Sequence, residues 1–308
     1  MRSTTHSDRV YVVTGADSGI GARVAELLTE RGARVIRCGL GDEAEVHADL
    51  ARPDGRALLV DAVRALAPDG VDGLALVAGV GVPSALSVRV NYFGTIAVLE
   101  GLRPLLAASA APRVVAVSSA SALSAGDDAL VETLLRGDEP GAIGVADRLV
   151  AAGRGGAIYR STKIALNRWV RRHAGDDEWA GRGILLNAVA PGIVATETAM
   201  STVLASEEQA KVVATALPQP LGMPGPVEPV AEQIAWLLTP ASAFTTGQIL
   251  FVDGGADAVL RGERPYADGV RYGPLAVARM LFWSAVARMK GRPRRRLGST
   301  GHGTSPRR

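Results

Sequence analysis

Val10-Tyr11-Val12-Val13-Thr14-Gly15-Ala16-Asp17-Ser18-Gly19-Ile20-Gly21 is the stretch on which the fold turns. It opens on β-branched and aromatic apolar residues, the composition of a buried strand. Glycines follow at 15, 19 and 21, and then Val24, Leu27 and Leu28 recur at helical spacing. Arg34-Val35-Ile36-Arg37-Cys38 reads as a second strand. Strand, glycine turn, helix and strand make a βαβ unit, whose parallel strands need helices on both faces. Glycine lets the chain turn tightly and lets a pyrophosphate approach the backbone. The next helix offers free N–H groups and the positive end of its dipole. Gly15, Ser18, Gly19, Ile20 and Gly21 are therefore candidates for holding a dinucleotide. A strand–helix turn without a ligand is the alternative.

The alternation continues outward. Val71–Ala78 reads as a strand, Ala85–Ala110 as mostly helix and Arg113–Ser118 as a strand. Ile158–His173 is helical, Ile184–Val189 a strand, Pro229–Leu238 a helix and Gln248–Val252 a strand. This predicts an α/β fold with a single doubly wound parallel sheet, Rossmann-like, over residues 1–262. Two stretches fall outside the alternation. Residues 120–156 form an insertion with Leu130, Val131, Leu134 and Leu135 at helical spacing, and residues 263–308 form a C-terminal extension.

Composition agrees with one large domain. The 308 residues are 47% hydrophobic but only 4% aromatic, so aliphatic side chains must fill the core. The single cysteine, Cys38, rules out an internal disulfide and fits a reducing cytoplasm. The N-terminal residues are polar and carry no apolar signal segment. Arg288, Lys290, Arg292, Arg294, Arg295, Arg296, Arg307 and Arg308 put +8 on the end of a chain whose net charge is +3, which leaves −5 for the rest. The basic character belongs to the tail. No groove-reading motif accompanies it, so a nucleic-acid partner is not expected. No metal-ligand pattern appears.

Tyr159-Arg160-Ser161-Thr162-Lys163 carries the chemistry. A separation of four on a helix points both side chains the same way. A phenol titrates near 10. A neighbouring ammonium favours the phenolate and brings the base toward working pH. A Tyr and a Lys four apart are by themselves more often a solvated helix face. Here they accompany the pattern T-G-x-x-x-G-I-G at residues 14–21, and together the two motifs resemble the short-chain dehydrogenase/reductase family.

The resemblance implies an enzyme that interconverts an alcohol and its carbonyl with a nicotinamide cofactor. It implies Tyr159 as acid/base and Lys163 as the residue that tunes it and holds the nicotinamide ribose. It implies Ser119, at the end of Val114-Val115-Ala116-Val117-Ser118-Ser119, as the group on the substrate oxygen, with Ser118 and Ser121 as lesser candidates. Asn91 in Val90-Asn91-Tyr92-Phe93-Gly94 matches the asparagine that supports a proton-relay water. Asp49-Leu50 matches the pair that contacts adenine. Ala78 and Gly79 end a strand that lacks the usual asparagines at 76 and 77, which puts its backbone support in question. Pro191, Gly192, Ile193, Val194 and Thr196 match the loop beside the nicotinamide, and Asp253 reads as structural.

Forty positions separate Ser119 from Tyr159, more than in most of the family. That insertion, the run Val71–Gly81 and the run Asp253–Arg261 are similar to the bacterial 3α-hydroxysteroid dehydrogenase/carbonyl reductases. Coniferyl-type aryl alcohol dehydrogenases share these features. The resemblance implies a bulky apolar alcohol or ketone as substrate, such as a 3-hydroxysteroid, and a homodimer whose insertion covers the usual tetramer helices. A surface elaboration without such a role is the alternative.

An acid at the end of the second strand commonly holds the ribose 2′-OH of NAD. Arg37-Cys38-Gly39-Leu40-Gly41-Asp42-Glu43 has none at the usual place, so the acid is missing or displaced to Asp42. The nearby acids favour NAD, and Arg37 argues for NADP. In the tail, Leu275–Met289 makes roughly 22 Å of helix at about 1.5 Å per residue, short of the ~30 Å hydrocarbon core. It reads as a helix packed on its own body or on a partner, ahead of a disordered basic end. Weak contact with an anionic membrane surface is the alternative. A non-catalytic nucleotide-binding protein is the competing reading of the whole chain.

Overall fold

The computed structural model describes residues 6–197 and 199–290. Seven strands, β1 (Val10–Thr14), β2 (Arg34–Gly39), β3 (Val46–His47), β4 (Gly73–Leu76), β5 (Arg113–Val117), β6 (Leu185–Pro191) and β7 (Ile249–Val252), form one parallel sheet in the order 3-2-1-4-5-6-7. The chain reverses direction across the sheet between β1 and β4, where Val13 pairs with both Arg37 and Ala75. β4 and β5 are buried along their whole length, because helices cover both faces and no alternation is needed.

One face carries α1 (Gly19–Glu30) and, later in the chain, α9 (Glu228–Leu238). Val24 and Leu28 of α1 share a core with Ile234 and Leu238 of α9. The other face carries α2 (Pro53–Leu66), a helical run made of α3 (Ala85–Val88), a π-helical turn at Arg89–Gly94 and α4 (Thr95–Leu106), and then α7 (Gly156–His173). Leu99, Leu102, Leu166 and Val170 fill that core.

The insertion folds as α5 (Asp128–Leu135) and α6 (Glu139–Ala151), each started by an aspartate side chain, Asp127 and Asp138, that accepts from the first turn. Leu130, Val131, Leu134, Ala142 and Ala146 are buried in the same core as α4 and α7. Arg56 of α2 donates to both carboxylate oxygens of Glu139 at 2.7 Å, which ties α6 to the main body.

Between β6 and α9 lies α8 (Glu207–Ala216), capped by the Ser206 side chain accepting from Gln209 N–H. Next to β7 lies α10 (Ala256–Arg261). The chain divides after Gly262 into two compact units. The second holds α11 (Arg264–Ala267) and α12 (Pro274–Lys290). In α12 the rings of Phe282 and Trp283 meet edge to face at 5.2 Å. No described helix is long and apolar enough to cross a membrane. The basic end expected to be disordered lies, after Lys290, outside the described residues.

Candidate active site

The candidate residues follow the carboxyl ends of the parallel strands. Gly15 follows β1, Asp49 β3, Ala78 β4, Ser119 β5 and Pro191 closes β6. In a doubly wound sheet this edge, next to the reversal of strand order, is where a ligand crevice forms.

The glycine turn is shaped by close approach. Gly15 has φ +65°, and a side chain on it would meet the Ala78 backbone at 2.8 Å. Gly19 has φ +53°, and a Cβ there would sit 3.0 Å from Thr196 Cγ2. The turn therefore packs against the end of β4 on one side and the loop after β6 on the other. Thr14 supplies the support for which the missing asparagines left a question. Its hydroxyl accepts from Val77 N–H at 3.1 Å and from Ala78 N–H at 3.2 Å. Ser18 caps α1 in extended conformation without a side-chain bond, so Ile20 and Gly21 begin a twelve-residue helix with its N-terminus open. A cradle into which no side chain can intrude, facing an open helix end, suits a pyrophosphate. The residues present thus fit a dinucleotide.

Asp49 and Leu50 lie farther along the same edge. Asp49 Oδ1 accepts from Ala51 N–H at 2.9 Å within its own turn, and the Leu50 carbonyl accepts from Arg56 Nε at 2.8 Å. Leu50 packs on Gly94, where a Cβ would lie 2.9 Å away.

Tyr159 and Lys163 stand one turn apart on α7. The Lys163 ammonium donates to the Val117 carbonyl at 2.8 Å and lies 5.7 Å from the Tyr159 ring centre. Burial lowers the Lys163 ammonium to about 8. Burial raises the Tyr159 phenol above its usual value, and a hydrogen bond with the Ser119 side chain acts against that rise. Without a nucleotide, burial is the larger influence on the phenol.

Of the three serines, Ser119 is the one whose side chain bears on the Tyr159 phenol. Its hydroxyl also accepts from Ser121 N–H at 3.1 Å, which turns the chain into a short 3₁₀ segment, Ala120–Leu123. The hydroxyls of Ser118 and Ser121 are buried with no partner among the described residues.

Asn91 sits in the π-helical turn, a distortion often found at functional sites. Its side chain accepts from Val80 N–H at 2.8 Å and donates to the Val80 carbonyl at 2.9 Å. It also flanks Lys163. A Cβ on Gly79 would touch Asn91 Oδ1 at 3.2 Å and Lys163 Nζ at 3.6 Å.

After Pro191, Gly192 N–H donates to the Val252 carbonyl and Ala195 N–H to the Gly225 carbonyl, while Val194 bridges to Gly225. Gln219 holds Ile193 from both sides. Its Oε1 accepts from Ile193 N–H at 2.5 Å, and its Nε2 donates to the Ile193 carbonyl at 3.3 Å. Sequence reading missed Gln219, because Pro218-Gln219-Pro220 matches no motif. Next to this loop, Ala120, Ile193, Leu217 and Ala256 form a small apolar cluster with Leu204, Val213, Met223, Phe251 and Leu260. Asp253 accepts from Gly255 and Asp257 N–H and caps α10.

Comparisons with known proteins agree. Residues 141–257 match the family model described as Enoyl-(Acyl carrier protein) reductase. Over 258 residues the chain is 34% identical to the 3-alpha-hydroxysteroid dehydrogenase/carbonyl reductase of Comamonas testosteroni, covering 82% of this chain and 98% of that one. It is 37% identical over 268 residues to the cis-4-hydroxycyclohexanecarboxylate dehydrogenase of Sinomonas cyclohexanicum, with the same coverage of 82% and 98%. The crystal structure of the 3-alpha-hydroxysteroid dehydrogenase of Pseudomonas sp. B-0831 complexed with NADH matches at TM-score 0.76 and 39% identity, over 82% of this chain and 99% of that one. Sheet order, glycine turn, the Ser119–Tyr159–Lys163 grouping and this similarity along most of the length converge: the chain belongs to the short-chain dehydrogenase/reductase family, NAD(P)-dependent oxidoreductases acting on CH–OH groups.

Proposed function

We propose that this protein interconverts a ring-borne secondary alcohol, on a bulky apolar molecule such as a 3-hydroxysteroid, and the corresponding ketone, with NAD. The observation that carries the reading is that Tyr159 stands one helical turn from Lys163, whose ammonium donates to the Val117 carbonyl at the end of the strand that leads to Ser119. A neutral phenol is a proton donor to a ketone oxygen and, once ionised, a proton acceptor from an alcohol. The Ser119 hydroxyl holds the same oxygen and stabilises charge as it develops there. Lys163, with N–H groups left after its bond to Val117, holds the nicotinamide ribose. Asn91, across Gly79 from Lys163, positions the Val80 turn and supports the path by which the proton reaches solvent. The glycine turn and the α1 N-terminus hold the pyrophosphate, Asp49 and Leu50 the adenine, and Pro191, Gly192, Ile193, Val194 and Thr196 the carboxamide side. When bound, the nicotinamide supplies or accepts the hydride.

The substrate class rests on two observations. Beside the loop after β6, Ile193, Leu204, Val213, Leu217 and Met223 belong to an aliphatic cluster that carries no charge. Two relatives are named for ring alcohols, one a steroid and one a cyclohexane. A cytoplasmic homodimer belongs to the same proposal, supported by the single cysteine and by the likeness of the 120–156 insertion.

The test is a spectrophotometric assay with NAD against a 3α-hydroxysteroid, a 4-hydroxycyclohexanecarboxylate and coniferyl alcohol, each repeated with Tyr159→Phe. Turnover of a ring alcohol, abolished in the variant while nucleotide binding stays within twofold, is the expected result. Full turnover by Tyr159→Phe would remove Tyr159 from its role. Turnover of coniferyl alcohol alone would replace the substrate class.

A further inference from the structure

Rossmann-type folds commonly read the adenosine ribose with an acid at the end of the second strand. Here β2 ends at Gly39, which has no side chain to offer. A carboxylate stands there nevertheless, and it comes from the glycine turn. Asp17 reaches across from β1 to β2, and its Oδ2 accepts from the N–H of Leu40, the first residue after the strand, at 2.7 Å. Asp42, the replacement considered from sequence, is exposed in the turn beyond.

Asp17 and Gly39 depend on each other. A Cβ on Gly39 would fall 1.9 Å from Asp17 Oδ2 and 2.4 Å from its Cγ, so the aspartate fills the volume that a strand-end side chain would need. The register explains the reach. Thr14 pairs with Cys38, and Ala16 N–H donates to the Cys38 carbonyl, which brings the glycine turn against the strand end. One oxygen of the carboxylate is used. The other, Oδ1, is buried and has no hydrogen-bond partner among the described residues. The turn beside it is glycine, and a Cβ on Gly41 would lie 3.3 Å from Oδ1. A carboxylate that lacks a donor at the edge of a dinucleotide cradle is matched by a sugar hydroxyl. A 2′-phosphate at the same point would place two anions in contact.

We propose that Asp17 recognises the adenosine ribose and selects NAD over NADP, the acid having moved from the strand end to the glycine turn. This rests on the dinucleotide reading above. It supplies what the sequence around Gly39 lacks, and it assigns Gly39 the role of making room.

The experiment is equilibrium titration of the full chain with NADH and with NADPH, followed by nicotinamide fluorescence, for wild type, Asp17→Asn, Asp17→Ala and the double variant Asp17→Ala/Gly39→Asp. Thermal unfolding of each variant is measured alongside. Asp17→Asn keeps an oxygen for Leu40 N–H and guards against misfolding. Wild type is expected to bind NADH at least tenfold tighter than NADPH. Asp17→Asn should cut that preference at least fivefold, chiefly by tightening NADPH. The double variant should restore it, since its carboxylate starts from the usual place. A folded Asp17→Asn and Asp17→Ala with the wild-type preference would overturn the assignment and leave Asp17 as a brace for Leu40. Wild type binding NADPH more tightly would overturn it too. Binding of neither nucleotide by wild type would overturn the oxidoreductase reading itself.

Discussion

The Lys163 ammonium donates to the carbonyl of Val117 at 2.8 Å, joining the helix that carries Tyr159 to the end of the strand that leads to Ser119. Lys163 is 3% exposed, and its pKa falls from 10.5 to about 8 through burial. It thus costs stability in the place where the chemistry needs it. Lys163→Met is expected to lower turnover on the order of 10²–10⁴-fold. The same variant should be at least as stable as wild type at pH 7, with a gain on the order of 1–3 kcal/mol. The sign follows from proton binding. Between pH 8 and 10.5 the unfolded chain holds the proton that the folded chain has lost, so wild-type stability rises with pH there, and Lys163→Met abolishes that rise. Urea unfolding across that pH range checks it. A marked loss of stability in the variant would show that the Val117 bond outweighs the burial cost.

Gln219 is the second test. Its amide satisfies both backbone groups of Ile193 and also donates to Gly222 at 3.1 Å. Gln219→Leu leaves a part-buried N–H without its acceptor, a loss of about 1–3 kcal/mol. It should raise KM for the nucleotide more than it lowers kcat, because the loop, not the proton donor, is disturbed. Gln219→Glu, which keeps an acceptor for Ile193 N–H, should recover part of the loss. Steady-state kinetics separates the two parameters, and an unchanged KM would make the clamp irrelevant to the cofactor loop.

The Arg56–Glu139 pair is expected to matter for stability. Its side chains are 9% and 22% exposed, and the contact is bidentate. Glu139→Ala leaves a buried guanidinium that still donates to the Leu50 and Arg89 carbonyls. The expected cost is about 2–3 kcal/mol, at or below the usual range for breaking a buried pair because those two bonds remain. Replacing both residues, Arg56→Met with Glu139→Leu, should cost less than the sum of the single changes. A double-mutant cycle by urea denaturation checks this, and strict additivity would show that the two residues do not act as a pair.

His6 should make the protein acid-sensitive. It is buried against Tyr11, whose hydroxyl lies 2.8 Å from Nδ1. Burial first, then Arg31 and Arg9, lower its pKa from 6.5 to about 4, with Glu232 acting weakly the other way. Between those values the unfolded chain binds the proton and the folded chain does not, so stability present above pH 6.5 is lost as the pH falls toward 4. The loss is on the order of 1–3 kcal/mol. His6→Gln, which keeps a polar partner for Tyr11, should flatten this part of the curve. Identical slopes for the two proteins would assign the acid sensitivity elsewhere.

The sequence by itself determined the sheet, the glycine turn and the Tyr159–Lys163 pair. Each of these rests on local order: an apolar run, glycines at a strand–helix junction, a spacing of one helical turn. It also marked the insertion at residues 120–156, since Leu130, Val131 and Leu134 recur with helical period. Only the tertiary structure decided what each of these meets. Ser119, already preferred to Ser118 and Ser121 by position, is the serine whose side chain bears on Tyr159, across a β5–α7 packing that no spacing encodes. Thr14 took over the support of β4, Gln219 closed on Ile193 from 26 positions away, and Asp17 filled the space left by Gly39. These contacts join segments far apart in the chain. Their energies depend on burial and on which donors are already paired, and both exist only once the sheet has brought its strand ends together.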